Sequence, residues 1–248
     1  MTEKITAIIQ ARTGSTRYPA KVLRPLAGEP MIAHLIRRLK QVPCLERIVL
    51  AVPDSPSEDS LIALAREMDI ESFKGPEEDV LQRFILAAEA FGAKQILRVC
   101  GDNPLIDYHL AETLAQQHLK HKADHTIISD PIPLGTSVEA ASMEALKIIS
   151  AATQKTKYRE HVTTYFYDHP DQFNILHIPA PDYLRGKTFR LTVDTDKDFQ
   201  LMEKIYDRFY KPFKPIVELD AVIPFLETHP EIARHNSEVK QKNWRLEN

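Results

Sequence analysis

The chain has 248 residues, 43% of them hydrophobic and 27% charged, with 32 Lys and Arg against 35 Asp and Glu for a formal net charge of −3. This composition allows one sizeable core and excludes a general basic surface for wrapping nucleic acid. No run of about 20 apolar residues is present, so no membrane-spanning helix is expected. The opening MTEKITAIIQAR has too short an apolar run for a secretory leader. Cys44 and Cys100, the only cysteines, lack C-x-x-C spacing and point to a reducing, cytoplasmic setting. Cys100 reads as a small core hydrophobe.

In chain order, ITAIIQA (5–11) is an apolar run of strand length. Pro30 opens a helix with Met31, Ile32, Leu35, Ile36, Leu39 and Val42 on one face. RIVLAV (47–52) is a buried strand. Ser55-Pro56-Ser57-Glu58 reads as a helix start, with a capping serine, proline at the first helical position and glutamate three on from the cap. IESFKG is a short strand, DVLQRFILAAEAFG an amphipathic helix closed by Gly92, and QILRVCG the next strand. DNPLID follows, and a helix runs from Asp107 to about His121; ADHTIIS is another strand. The second half is less regular. MEALKIISAA and YREHVTTYFYDH read as helices, FNILHIPAP and FRLTVDT as strands, and DKDFQLMEKIYDRFY as an amphipathic helix. One or two short helices fall in ELDAVIPFLETHPEIARHN, and a polar, loosely packed tail begins near Ser237.

This alternation predicts an α/β fold, a Rossmann-like mixed, mostly parallel sheet flanked by helices. Ligands of such a sheet bind beyond the carboxyl ends of the strands. Three segments there carry chemistry. The first, QARTGSTRYPAKVL, holds Arg12, Arg17 and Lys21 in a Gly/Ser/Thr loop after the first strand. Neither a P-loop nor a dinucleotide fingerprint is present. The spacing alone leaves two readings open, a solvated basic loop or a phosphate cradle of backbone N–H groups, guanidinium forks and one ammonium. In the second, Asp102 follows a strand and Gly101, where a hard carboxylate suits Mg²⁺; a turn aspartate is the plainer reading. In the third, Asp194 follows FRLTV and could complete a two-carboxylate Mg²⁺ site, while Thr195 with Asp198 resembles a capping box. His118, His121 and His125 read as a solvated helix end rather than a zinc site.

These segments together resemble the nucleotide-sugar cytidylyltransferases, which include the 3-deoxy-manno-octulosonate and acylneuraminate cytidylyltransferases, and within them the spore-coat polysaccharide biosynthesis branch. The pattern QAR-x-x-S-x-R-x-P-x-K is matched by Gln10, Ala11, Arg12, Ser15, Arg17, Pro19 and Lys21. E-[DE]-D-V-L-x-R is matched from Glu77 to Arg83, R-x-x-GD-x-PLID from Arg98 to Asp107, REHVT from Arg159 to Thr163, and VDT from Val193 to Thr195. The branch pattern G-L-D-V-E is broken: Ser137 stands where an acid is expected.

The resemblance implies a glycosyltransferase-A-like nucleotidyltransferase fold, CTP as donor, Mg²⁺ as cofactor, and attack of an acidic-sugar hydroxyl on the α-phosphate. The product would be a CMP-sugar for surface polysaccharide. It implies Arg17, Lys21 and Asp102 as catalytic residues and Asp102 with Asp194 as metal ligands. Gln10, Ala11, Arg12, Gly14, Ser15, Arg17, Lys21, Arg83, Arg98 and Gly101 are implied for the nucleotide. Ser137, Glu139, Arg159, Glu160 and His161 are implied for the acceptor. A single domain is expected over 1–248, with a nucleotide-binding half at 1–129, an acceptor-binding and dimerisation half at 130–210 and a helical extension at 211–248. The expected assembly is a cytoplasmic homodimer without nucleic-acid or membrane partners. Two alternatives stand beside this: transfer to a non-sialic acceptor such as a phosphorylated polyol or small acid, and a nucleotide-binding partner protein without catalysis.

Overall fold

The computed structural model describes residues 4–15 and 17–241, and the apolar runs of the first half form the elements their periods predict. The order is β1 (Ile5–Gln10), a two-strand ribbon of β2 (Pro25–Leu26) and β3 (Glu29–Pro30), α1 (Met31–Leu39), β4 (Leu45–Pro53), α2 (Asp59–Glu67), β5 (Glu71–Gly75), α3 (Val80–Ala90), β6 (Gln95–Cys100), α4 (Tyr108–His121) and β7 (His125–Ile128). The rest comprises β8 (Glu139–Ser142), α5 (Met143–Ala152), α6 (Thr156–Glu160), α7 (Thr164–Asp168), β9 (Ile175–Ile178), α8 (Asp196–Phe209), α9 (Leu219–Thr228) and α10 (Pro230–Ala233).

One seven-stranded sheet has the order β5-β4-β1-β6-β8-β7-β9. The pairs β5–β4, β4–β1, β1–β6 and β7–β9 are parallel, while β8 runs antiparallel to both β6 and β7. Side chains alternate across β1: Ala7 and Ile9 enter one core, Ile8 the other. The first core lies under α1, α4, α8 and α9, the second under α3, α5 and α7. The chain moves from β1 outward through β4 to β5, then returns through α3 to place β6 on the other side of β1. That reversal makes the carboxyl ends of β1 and β6 the topological switch point, which in doubly wound sheets is the place of the ligand crevice.

Two glycines let backbones meet there. A Cβ on Gly101 would stand 2.9 Å from both Ala11 Cβ and Gln10 O, so only glycine brings the end of β6 this close to the end of β1. Gly135 has φ +93°, and a Cβ on it would meet the Leu191 and Thr192 backbone at 2.7–2.8 Å. Overpacking of this kind typically costs about 1–3 kcal/mol.

Four expectations are corrected. FRLTVDT is not a strand: it is an extended segment with one isolated parallel bridge, Leu134 to Arg190. Its N–H groups go singly to two different segments, Leu191 to Leu134 O at 2.7 Å and Val193 to Asp102 O at 2.9 Å, so no ladder forms. YREHVTTYFYDH is two short helices, α6 and α7, broken at His161–Thr163. Pro56–Glu58 is a 3₁₀ turn with the expected serine cap and proline, Ser55 Oγ accepting the Ser57 N–H at 3.4 Å, but Glu58 does not return to that cap and reaches the loop after β1. His118 is fully buried rather than solvated, with Nδ1 hydrogen-bonded to the Thr126 hydroxyl and Nε2 to Gln95. Burial, then His125, pushes its pKa down to about 4. In the polar tail Glu238 accepts from Lys197 and Gln241 from Arg190; residues 242–248 lie outside the described residues.

Candidate active site

The loop after β1 folds back on itself through Thr13, whose carbonyl accepts the N–H groups of Ser15 and Ala20, each at 2.9 Å. It ends in a 3₁₀ turn over Lys21–Leu23 that buries Lys21. The Lys21 ammonium donates to Asp102 Oδ2 at 2.7 Å, Val193 O at 2.7 Å and Asp194 Oδ1 at 2.9 Å. Three segments distant in sequence therefore meet on one nitrogen. Burial acts to lower the Lys21 pKa, but Asp102 and Asp194 raise it above the ordinary lysine value.

Asp194 is the most heavily held carboxylate of the cluster. Arg17 pairs with its Oδ1 at 2.9 Å and Arg190 with its Oδ2 at 2.8 Å. Burial acts to raise its pKa, while Lys21, Arg17 and Arg190 bring it below the ordinary aspartate value. Behind it stands Asp198, fully buried, which accepts the N–H groups of Asp194 and Thr195 at 3.0 and 2.9 Å and pairs with Arg190 Nε at 2.9 Å. The expected capping box of Thr195 and Asp198 is present at the start of α8. Asn236, beyond α10, donates to Asp198 Oδ1 at 2.7 Å and to Arg190 O at 3.0 Å. The C-terminal extension thus braces the loop that carries Asp194. None of Arg190, Asp198 in this bracing role, or Asn236 was identified from the sequence; Arg190, four residues before Asp194 in an apolar segment, was the available signal.

Two hard carboxylates, Asp102 and Asp194, converge on one cationic position now filled by Lys21 Nζ. Among the described residues no group of three or more His, Cys, Asp and Glu could hold an ion. Two carboxylates without a third protein ligand fit Mg²⁺, which takes one or two carboxylates and completes its shell with waters and substrate phosphate.

Other sequence-identified residues fall into three places. At the crevice mouth, Arg12 and Gly14 are exposed, Ser15 is half-buried, and Ala11 lies under the loop against Gly101. Gln10, at the end of β1, keeps its Oε1 buried, with no hydrogen-bond partner among the described residues. Arg83 lies buried on α3, donating to Pro76 O at 2.9 Å. Burial, then the nearby Arg12, pushes its pKa down to about 10.

A second cluster joins Arg98 of β6 to Glu139 of β8, which are direct cross-strand partners. Arg98 Nη1 lies 3.1 Å from Glu139 Oε2. The hydroxyls of Thr163 and Tyr167 donate to the same carboxylate at 2.5 Å each. Burial acts to raise the Glu139 pKa, yet Arg98, His125 and the two hydroxyls hold it down to about 2. His125 stacks on Phe166 with ring centroids 4.3 Å apart. Arg98, expected with the nucleotide, and Glu139, expected with the acceptor, are therefore one unit.

Arg159, by contrast, is not brought to that unit. Its guanidinium donates to Thr153 O, Ser150 O, Ser150 Oγ and Asp79 Oδ2 at 2.6–3.1 Å, tying α6 to the end of α5 and the cap of α3. The segment it opens reaches Glu139 through Thr163 instead. Glu160 and His161 are half-buried around the end of α6, and the Ser137 hydroxyl donates to Val138 O at 3.0 Å. Among the described residues no helix is long and apolar enough to cross a membrane.

Residues 6–243 match the family model described as Cytidylyltransferase. The chain is 36% identical over 243 residues to the uncharacterized protein MJ1063 of Methanocaldococcus jannaschii, covering 98% of each chain. It is 34% identical to the spore coat polysaccharide biosynthesis protein SpsF of Bacillus subtilis, covering 92% of this chain and 96% of that one. A cytidylyltransferase structure from Leptospira borgpetersenii superposes with a TM-score of 0.87 at 23% identity, covering 97% of this chain and all of the other, an agreement of fold.

Proposed function

The chain belongs to the cytidylyltransferase family, and from that premise we propose that it transfers a cytidylyl group from CTP to the hydroxyl of an acidic sugar, with Mg²⁺ as its metal. The new bond joins the acceptor oxygen to the α-phosphorus, the bridge to the β-phosphate breaks, pyrophosphate leaves, and the hydroxyl proton passes to solvent. The observation that carries this reading is the convergence of Lys21 on Asp102 and Asp194, with Arg17 beside it, at the crevice between β1 and β6. Transfer at an α-phosphate needs alignment and charge neutralisation more than a protein nucleophile.

In this reading Arg17, whose side chain is 45% exposed, offers its fork to the phosphates, and Lys21, which stands between the two acids in this structure, would yield that position to the metal and turn its compact charge to the phosphates. Asp102 and Asp194 would hold Mg²⁺, which supplies Lewis-acid neutralisation of phosphate oxygens when bound. Arg12 and Arg83 repel one another, and an anionic nucleotide between them relieves that repulsion. Gln10, Ala11, Gly14, Ser15 and Gly101 line the approach. Arg98 and Glu139 form a wall on the acceptor side, with Ser137, Glu160 and His161 as outer candidates.

The nucleotide half is assigned to 1–129 and the acceptor half, with a homodimer contact, to 130–210. The change from parallel to antiparallel pairing between β6 and β8 supports a division there. The extension from 211 braces Asp194 through Asn236. The proposed setting is the cytoplasm, and the proposed product a CMP-sugar for surface polysaccharide. A second reading, transfer to a phosphorylated polyol or other non-sialic acceptor, is favoured by Ser137, whose hydroxyl turns to Val138 O where the related pattern has an acid. A non-catalytic nucleotide binder has no need to keep both aspartates on one cation.

The test measures pyrophosphate released with each nucleoside triphosphate, Mg²⁺ and a panel of acidic sugars and phosphorylated polyols. Release with CTP and an acidic sugar is expected. Release only with a phosphorylated polyol moves the assignment to the second reading, and none with any acceptor sinks both.

A further inference from the structure

Glu58 faces away from the helix it precedes. It sits in the 3₁₀ turn after β4 and is 2% exposed. Its Oε2 accepts the Thr13 N–H at 2.9 Å, and its Oε1 accepts the Thr13 hydroxyl at 2.8 Å and the Ser57 hydroxyl at 3.1 Å. Thr13 is also where the basic loop closes on itself, since its carbonyl takes the N–H groups of Ser15 and Ala20. A single buried acid thus holds Thr13, the residue whose carbonyl ties Ser15 to Ala20 in the basic loop.

The placement is unusual for its charge. An anion beside a loop that binds polyphosphate lowers affinity unless it supplies something in return. Here both oxygens are committed to donors of Thr13 and Ser57, in charge-assisted bonds stronger than neutral ones. Glu58 also acts electrostatically on buried Arg83, opposing the effect of Arg12. Displacing it from Thr13 leaves a buried carboxylate short of donors, which is costly. The contact is therefore an anchor rather than a placeholder that a phosphate evicts.

We infer that Glu58 is a positioning residue for the nucleotide loop: it fixes Thr13 so that Arg12, Arg17 and Lys21 face the crevice before CTP arrives. The inference rests on the reading of this loop given above. An untethered loop spends only part of its time in the competent arrangement, and affinity falls by that fraction. The loss then appears in KM for CTP rather than in kcat.

Steady-state kinetics with CTP and tryptic cleavage after Arg12 and Arg17 test this on the full chain carrying Glu58→Ala, Glu58→Gln or Thr13→Val. Glu58→Ala is expected to raise KM for CTP about tenfold with kcat within about twofold, and to speed loop cleavage well below the unfolding temperature. Glu58→Gln, whose amide oxygen still accepts the Thr13 N–H, is expected to restore most of both. Thr13→Val, which loses only the hydroxyl bond, is expected to raise KM about threefold. Unchanged KM and cleavage in Glu58→Ala overturns the inference, as does a lowered unfolding temperature with neither readout moved. Should Glu58→Ala fail to fold, Thr13→Val decides by the same two readouts. If the wild type turns over no nucleotide, the functional reading falls, and loop cleavage alone decides whether Glu58 is the anchor.

Discussion

The two charged clusters of this molecule are built alike and differ in reach. Around Lys21, three cations (Arg17, Lys21, Arg190) meet three acids (Asp102, Asp194, Asp198), drawn from three separate parts of the chain. Around Glu139, one cation meets one acid across adjacent strands, and hydroxyls fill the rest of the carboxylate. The first has an exposed member in Arg17 and a partly exposed one in Asp102, so its partners can be exchanged for a ligand. In the second, both Glu139 oxygens are taken by groups of the fold itself, Oε2 by Arg98 and Thr163 and Oε1 by Tyr167. Similar charge pairing thus leaves an exposed cation at one cluster and a carboxylate with both oxygens taken at the other.

The largest effect expected from breaking this comparison is at Asp102. Asp102→Asn is expected to lower turnover by at least ~10³-fold. Lys21 keeps Asp194 and Val193 O as partners in that variant, so the unfolding temperature should move by only a few degrees. Pyrophosphate release and a melting curve check both halves; wild-type turnover would remove Asp102 from the site.

Glu139→Gln should do the reverse. It leaves Arg98 without its counter-charge, and the cost is about 3 kcal/mol, a fall of roughly 6–12 °C for a chain of this size. Turnover at a temperature where the variant is folded should fall far less than in Asp102→Asn. A larger loss of turnover than of stability would mean that this cluster, too, is open to substrate.

A smaller effect sharpens the closed side. His118 and His125 have pKa values pushed down to about 4, first by burial. A lowered folded pKa favours the neutral form in the fold. The stabilisation is complete above the unfolded value near 6.5 and is lost as pH falls through about 4. Each histidine then costs about 2 kcal/mol at pH 5 relative to pH 7.5. In urea titrations at the two pH values, His118→Gln should narrow the wild-type difference by that amount. No narrowing would mean that His118 stays neutral in the unfolded chain as well, or titrates freely in the fold.

Legibility from the sequence differed between the same two regions. The strands and helices up to His121 were readable because apolar spacing reports burial directly, and Asp107, Thr195 and Asp198 were readable as caps because capping is local. Asp102 and Asp194 were singled out as acids after apolar runs, although the second run is no strand. Glu58 was misread because Ser-Pro-Ser-Glu has the pattern of a cap, while its partner lies 45 residues away. His118 was misread because polar neighbours in sequence said nothing of Thr126 and Gln95 packed over it. Arg159 looked like a ligand contact because an arginine's saturation by backbone carbonyls leaves no mark on spacing.

What the sequence by itself determined was the α/β alternation, the basic loop after the first strand, and the family to which its motifs belong. All of these rest on neighbours within a few residues or on patterns in fixed order. Only the tertiary structure decided which charges meet: Lys21 on Asp102 and Asp194, Glu58 on Thr13, Asn236 on Asp198. The physical reason is that the reversal at β1 and the close approaches at Gly101 and Gly135 set those distances. Such contacts depend on how whole layers pack, and no local period encodes them.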